Sequence, residues 1–151
     1  MKAIYSLILA TAAMTLASAA SAQFAKPEDA IKYRQSGMFM MGQHFGRIGA
    51  MVNGRIPFDA KVATENAEIV AELSKLPQAG FGPGTDQGAP TKAKPEVWTE
   101  QAKFMELHDK RTEAAVKLVA AAKTGNLDTL KTAFAATADT CKTCHDTYRA
   151  K

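Results

Sequence analysis

The segment Cys141-Lys142-Thr143-Cys144-His145 constrains this chain more than any other feature of its sequence. It contains the only two cysteines, and a histidine follows the second one directly. Two thiols at this spacing can add across the vinyl groups of one haem while the adjacent imidazole binds the iron, so the motif predicts one covalently attached haem c. Cys141 and Cys144 are the predicted attachment residues, and His145 is the predicted metal ligand.

Other uses of a cysteine pair fit the sequence less well. Two exported cysteines could form a disulfide. A thioredoxin-like redox pair follows a strand in a βαβ unit, and no such pattern is present. Zinc needs four ligands, and beyond His145 only His44 and His108 remain, with no second cysteine pair. Haem attachment is the preferred interpretation, and a disulfide, a redox pair or another non-haem thiol protein are the alternatives.

The haem motif lies on the most regular helical pattern in the chain. Residues spaced alternately by three and four fall on one face of a helix, and here they are Leu127, Leu130, Phe134, Thr137, Cys141, Cys144 and Tyr148. Both thiols therefore belong to the face that points to the core, with His145 one step round beside them. This register predicts a haem inside the protein.

Three further helices precede this one. The first is predicted over 27–52, because Pro27 suits a first turn and the following acidic residues complement the helix dipole. The second is predicted over about 59–76 and the third over about 95–123. Their expected core faces are Ile31, Met38, Met41, Phe45, Ile48 and Val52, then Val62, Ile69, Leu73 and Leu76, then Val97, Phe104, Leu107, Ala114, Leu118 and Ala121.

These elements predict an all-α fold, an antiparallel four-helix bundle with one haem in its core. Two of the links between helices are short. The third, residues 77–95, is long and rich in Gly and Pro, as functional loops and crossovers are. Phe81 within it is expected to pack over other residues, since it would otherwise be an exposed aromatic ring.

Residues 1–22 have the pattern of a cleaved export signal. Lys2 provides a short positive region, an apolar stretch follows, and Ala20-Ser21-Ala22 provides small residues for cleavage. The apolar stretch is shorter than the ~20 residues that a spanning helix needs. The mature protein is then expected to be one domain, residues 23–151, with no membrane attachment; an uncleaved anchor is the alternative.

Charge and composition exclude several classes of function. The chain carries a formal net charge of +4. Loss of Lys2 leaves 18 basic and 15 acidic residues, a net charge of +3 spread along the chain without a basic block. This distribution argues against a nucleic-acid partner. No nucleophile–base pair stands out either, so we expect a haem protein and not an enzyme.

Three segments together resemble the cytochrome c prime family, the class II cytochromes c. They are the haem motif followed by Asp146-Thr147-Tyr148-Arg149, the run from Phe24 to Gln35, and Phe81-Gly82-Pro83-Gly84-Thr85. The resemblance implies a periplasmic four-helix protein with a five-coordinate, high-spin iron that binds nitric oxide and carbon monoxide. It also implies an unidentified periplasmic redox partner and the possibility of a homodimer formed through the first two helices.

The resemblance further implies roles for four residues around the haem. Arg34 and Gln35 would reach the haem propionates, Met38 would shield the distal face, and Arg149 would belong to the proximal pocket. The distal face is expected to be apolar, without a hydrogen-bond donor. The alternative is a low-spin electron carrier in which Met38 is the sixth ligand, because a thioether also binds haem iron.

Overall fold

The computed structural model describes residues 23–151, so the predicted export signal, residues 1–22, lies outside the described residues. The helices within that range are α1 Pro27–Val52, α2 Ala60–Lys75, a 3₁₀ helix Pro77–Phe81, α3 Glu96–Thr99, α4 Gln101–Lys123 and α5 Leu127–Tyr148. Between residues 23 and 151 no helix is long and apolar enough to cross a membrane.

The first helix, α1, has the bounds and the core face that the sequence predicts. Pro27 stands in its first turn, and Glu28 and Asp29 follow. Carboxylates at this end stabilise a helix because they lie at the positive end of its dipole. Four residues of the predicted face are buried and two are partly buried, namely Ile31, Met41, Ile48 and Val52, and then Met38 and Phe45.

The second helix, α2, buries a different face from the predicted one. Three residues expected in the core are exposed, Val62 to 39%, Ile69 to 38% and Leu76 to 44%. The buried face consists mostly of smaller side chains: Ala63, Asn66, Ala67, Val70, Ala71 and Ser74. Helix separation depends on the side chains at the contact, and small residues let α2 lie close to its neighbours. The prediction is therefore wrong for Val62, Ile69 and Leu76, whereas Leu73 is partly buried against the core as predicted.

The predicted third helix, residues 95–123, is divided into α3 and α4. The break is at Glu100, whose φ of −113° and ψ of 38° are not helical. The carboxylate of Glu100 accepts a hydrogen bond from the Tyr148 hydroxyl at 3.0 Å. Periodicity alone did not reveal this break, because the helical spacing of apolar residues continues on either side of a single non-helical residue.

The four long helices form an antiparallel bundle, in which α1 packs on α2, α2 on α4, and α4 on α5. The main core runs along the bundle and includes Met41, Ile48, Met51, Val70, Leu118 and Leu130. A second core cluster, Val97, Phe104 and Tyr148, has Cys144 packed against it. The haem motif therefore lies where α5 meets a separate, aromatic-rich cluster.

The long loop of residues 77–95 joins both sides of this cluster. Its 3₁₀ helix packs on α1. Its far end runs beside the C-terminus, where the Lys94 N–H donates to the Tyr148 carbonyl at 2.9 Å and the Ala150 N–H donates to the Lys92 carbonyl at 2.8 Å. The loop therefore connects α1 to the end of α5, the two helices that carry the predicted site residues.

Candidate functional site: a haem cavity between the first and last helices

The two cysteines of the motif lie on the inner side of α5. Cys141 and Cys144 are half-buried and form no disulfide. Burial raises the pKa of both thiols, and the nearby Arg111 guanidinium opposes this rise. The disulfide alternative therefore has no support in this structure.

His145 follows the cysteines on the exposed side of the same turn. Its pKa is lowered, first by partial desolvation and then by the positive charges of Arg149 and Arg111. A lowered pKa favours the neutral imidazole, which is the form that binds a metal. Within residues 23–151 no group of three or more His, Cys, Asp or Glu side chains is arranged to hold a metal ion, so the zinc alternative lacks a ligand set there.

A cavity of about 430 Å³ opens between α1, α5 and the long loop. Six of the seven predicted site residues line it: Arg34, Gln35, Met38, Cys144, His145 and Arg149. The seventh, Cys141, lies one turn before Cys144 on α5. The loop contributes Phe81, Thr91, Lys92 and Ala93, so the loop is part of the cavity wall.

Aromatic rings form one side of the cavity. Phe81 packs on Phe104 with ring centroids 4.9 Å apart, and Phe104 packs edge-on against Tyr148 at 5.3 Å. The Trp98 indole covers the loop and donates to the Gly82 carbonyl at 3.0 Å. The expectation that Phe81 packs over other residues is confirmed, and its partners are Phe104 on α4, Trp98 on α3 and the Arg34 guanidinium on α1.

Arg34 is buried to 98% and its guanidinium holds the loop in place. It donates to the Gly80 carbonyl at 2.5 Å and to the Thr85 carbonyl at 2.8 Å. It also lies over the Phe81 ring, 4.6 Å from the centroid. Burial lowers its pKa and Asp86 opposes that shift. The sequence did not indicate this role in the loop, because the carbonyls that Arg34 binds are about fifty residues away.

Gln35 and Arg149 lie at the rim of the cavity. The Gln35 side chain donates to the Pro90 carbonyl at 2.9 Å. Arg149 follows α5 in an extended conformation and pairs with Ala93 in an isolated β-bridge. The side chains of both residues line the cavity while other contacts fix their position.

Arg111 is a buried residue that sequence reasoning missed; it contacts Met38 but does not itself line the cavity. It is only 6% exposed, and its guanidinium lies 3.9 Å from the Met38 sulfur and 2.5 Å from the Ser74 carbonyl. Because Arg111 does not line the cavity, the expectation of a distal face without a hydrogen-bond donor stays a prediction. A signal was present in the sequence, because residue 111 lies between Leu107 and Ala114 at helical spacing and interrupts the apolar face of α4.

The remaining histidines take no part in the cavity wall. His44 is hydrogen-bonded to Asn66 at 2.9 Å between α1 and α2. His108 bonds Asp109 at 3.0 Å through one ring nitrogen. Its other nitrogen is buried and has no hydrogen-bond partner among the described residues.

The residues at this site fit a haem group. The cavity volume lies within the usual 300–1,000 Å³ range of cofactor sites. Two thiols and an imidazole stand on one helix end facing an apolar wall, which matches the donors that a covalent haem uses.

Comparison with known proteins agrees with this geometry. A family model described as cytochrome C' matches residues 29–149. Cytochrome c' of Rubrivivax gelatinosus is 52% identical over 129 residues, which is 85% of this chain and all of the relative. Its crystal structure superimposes with a TM-score of 0.82 over the same share of both chains. Cytochrome c' of Alcaligenes xylosoxydans xylosoxydans is 48% identical over 85% of this chain and 99% of the relative.

A nitric oxide complex is among the similar solved structures. A leucine-to-alanine variant of cytochrome c prime from Alcaligenes xylosoxidans, bound to nitric oxide, has a TM-score of 0.80 and 47% identity, covering 85% of this chain and 99% of that one. The bundle and the cysteine pair on its last helix thus define a c-type haem protein of the four-helix class. At these levels of identity and coverage, the chain belongs to the cytochrome c' family. It carries one covalently attached haem c, and Cys141 and Cys144 are its only cysteines.

Proposed function

We propose that this protein binds nitric oxide and carbon monoxide at a five-coordinate, high-spin haem. When bound, the haem supplies an iron with a vacant axial position that small gases can enter. The observation that carries the proposal is the cavity itself, which has His145 on the α5 side and Met38 on the α1 side. Nitric oxide complexes of similar cytochromes c' support it.

Each site residue has a distinct role in this proposal. Cys141 and Cys144 form the two thioether links, and His145 is the single protein ligand of the iron. The links fix the position of the imidazole because it belongs to the next residue on the same helix. Met38 packs across the cavity from His145 and limits the size of what enters.

Gln35 and Arg34 are proposed to bind the propionate edge of the haem. Gln35 lines the cavity beside Pro90, and Arg34 lines it from the loop side. A guanidinium binds carboxylates well and an amide N–H can also donate to them, so Arg34 and Gln35 are both proposed to contact propionates while Arg34 also holds the loop. Arg149 lies four residues after His145, and its positive charge lowers the pKa of that imidazole in addition to the larger effect of desolvation.

Titration of the reduced protein with nitric oxide and carbon monoxide tests this function. We expect both gases to shift the Soret band, and we expect Met38→Ala to bind carbon monoxide at least ~tenfold more tightly, because it removes the side chain that crowds the cavity. Met40→Ala is the matched control, since Met40 is exposed on the same helix. A wild-type spectrum that neither gas changes would contradict the proposal.

An electron carrier with Met38 and His145 as axial ligands is the second candidate. It is favoured by one observation, that both side chains line the same cavity. A leucine at residue 38 keeps the volume but removes the sulfur. If Met38→Leu converts a low-spin iron to a high-spin one, the electron carrier is the correct function.

The proposal also covers the export signal and the compartment of the mature protein. Residues 1–22 are removed after export, and residues 23–151 form a single haem domain in the periplasm. There it exchanges electrons with an unidentified periplasmic redox partner. Mass spectrometry of the protein from a host that exports it is expected to show Gln23 as the first residue.

A homodimer is also part of the proposed function. Val62, Ile69 and Leu76 are exposed on one face of α2, where an apolar stripe is costly to leave in water. A second copy of the chain would bury this stripe, and resemblance to the family points to the first two helices as the contact.

A further inference from the structure

A second cleft, of about 480 Å³, opens beside the haem cavity at the end of α5. It shares Lys92, His145 and Arg149 with the haem cavity, so it lies against the proposed iron ligand. Lys94 and Lys151 line this second cleft and not the haem cavity. The four basic residues of its lining are called the basic cluster below: Lys92, Lys94, Arg149 and Lys151.

The fold brings the basic cluster together from two segments that are far apart in the sequence. Ala93 pairs with Arg149 in an isolated β-bridge. Next to this bridge, the Ala150 N–H donates to the Lys92 carbonyl at 2.8 Å. Backbone contacts therefore hold the end of the long loop beside the residues that follow α5, and cations that are scattered along the sequence become neighbours.

The positive charge of the basic cluster is not neutralised by the protein. No carboxylate pairs with any of its four cations among residues 23–151. The cleft lining has one acidic side chain, Asp146, and its carboxylate is paired with Lys142. The Lys94 ammonium donates to the Thr147 carbonyl at 2.8 Å, which fixes its position and leaves its charge. The cluster therefore attracts anions.

This cluster accounts for the excess of positive charge in residues 23–151. That range has 18 basic and 15 acidic side chains. Without the basic cluster and Asp146, 14 basic and 14 acidic side chains remain, so the rest of the range is balanced. A local concentration of one sign of charge steers an oppositely charged partner to that part of the surface.

We propose that the basic cluster is the docking surface for an acidic electron-transfer protein, the redox partner of this haem. The inference rests on the electron exchange that is part of the proposed function. A partner docked on the cleft lies against His145, the proposed iron ligand. Lys92, Arg149 and Lys151 are exposed. Because one exposed ion pair contributes little, a surface with several carboxylates fits the cluster better than a single small anion does.

Stopped-flow measurement of electron transfer from the ferrous holoprotein to a blue-copper protein with an acidic face tests this surface. We expect the second-order rate constant to fall at least ~tenfold between about 10 mM and about 200 mM salt, because salt screens the attraction. Lys151→Glu is expected to lower the rate constant at low salt at least ~threefold. Adding Lys94→Gln to that variant is expected to lower it at least ~tenfold and to weaken its salt dependence.

The controls separate the basic cluster from overall charge and from damage to the site. Lys117→Glu makes the same change of charge at an exposed residue of α4, about 25 Å along the helix from Glu100. It is expected to change the rate constant less than ~twofold, because the charge lies beyond a Debye length from the cluster. Lys151 is exposed and does not line the haem cavity, so Lys151→Glu is expected to keep the carbon monoxide affinity of the wild type. If Lys94→Gln disturbs the end of α5, Lys151→Glu alone carries the test.

Three results would overturn the proposal. One is a wild-type rate constant that does not depend on salt, and another is an equal loss of rate in Lys151→Glu and Lys117→Glu. The third is binding to vesicles of anionic phospholipid that Lys151→Glu abolishes while its electron-transfer rate stays that of the wild type, since a lipid surface would then be the occupant.

The same protein samples distinguish this proposal from the gas-binding function. Gas-induced Soret shifts together with a salt-independent electron-transfer rate would refute the docking surface alone. The expected dependence on salt and on Lys151, in a protein whose spectrum neither gas changes, would support the docking surface and refute gas binding.

Discussion

At the scale of single residues, two buried arginines define how this site is built. Arg34 is surrounded by carbonyl and hydroxyl acceptors of the long loop, whereas Arg111 has one carbonyl, one thioether and an unused donor. A buried charge without partners is unfavourable, and its persistence needs a local reason. For Arg34 the reason is the loop that forms the cavity wall, and for Arg111 it is the Ser74 carbonyl in the last turn of α2.

Replacing Arg34 is expected to weaken the attachment of the loop of residues 77–95 to α1. Arg34→Met leaves the Gly80 and Thr85 carbonyls without their donor, so we expect a loss of at least about 2 kcal/mol in unfolding free energy. Limited proteolysis is expected to cut within residues 77–95 of this variant. Arg47→Met is the matched control, because Arg47 is exposed on the same helix. Equal stability of the two variants would show that the loop does not depend on Arg34.

At the scale of elements, the close contact between α1 and the 3₁₀ helix positions the loop. A Cβ atom at Gly80 would lie 2.6 Å from the Ala30 carbonyl oxygen and 2.9 Å from the Arg34 Cβ. Both are distances that backbone and packed side chains do not tolerate. Glycine is therefore required at residue 80 for α1 and the loop to meet.

Two glycine substitutions test this contact, one expected to lower the unfolding free energy and the other expected to raise it. Gly80→Ala is expected to lower the unfolding free energy by about 1–3 kcal/mol, because it overpacks a fixed interface. Gly42→Ala is expected to raise it by about 0.5–1 kcal/mol, since nothing lies within 4 Å of the added carbon in the middle of α1. Thermal and denaturant unfolding measure the unfolding free energy of both variants. If Gly80→Ala were as stable as Gly42→Ala, the proposed contact would be wrong.

Local sequence signals determined some elements and not others. The bounds of α1 and the face of α5 followed from a first-turn proline and from regular spacing, which are local properties. The buried face of α2 did not follow, since close approach selected Ala63 and Ala67 over Val62 and Ile69. The division at Glu100 and the anchoring of Arg34 also depend on contacts between residues far apart in the chain, so no local pattern could show them.

At the scale of the whole molecule, the exposed face of α2 indicates how the protein associates. Val62, Ile69 and Leu76 together leave an apolar stripe on the outside of the bundle. Isolated exposed apolar residues are common on protein surfaces, but exposed apolar patches mark interaction surfaces, and these three residues recur every seven positions along α2 and its C-cap. The same residues that contradicted the predicted core therefore support the proposed homodimer.

Analytical ultracentrifugation of charge-inserting variants tests the homodimer. We expect the wild-type protein to sediment as a dimer and Ile69→Glu to sediment as a monomer, because a carboxylate cannot be buried unpaired in an apolar contact. Val116→Glu is the control, as Val116 is an exposed apolar residue on α4, away from the stripe. A monomeric wild type, or dissociation by both variants, would refute the proposed interface.

The electron paramagnetic resonance and optical spectrum of the ferric holoprotein tests most directly whether this haem has a vacant axial position. We expect a high-spin, five-coordinate signal with His145 as the only protein ligand, and a Soret shift when nitric oxide is added. A low-spin ferric signal with a methionine-to-iron charge-transfer band would contradict this and would place Met38 on the iron.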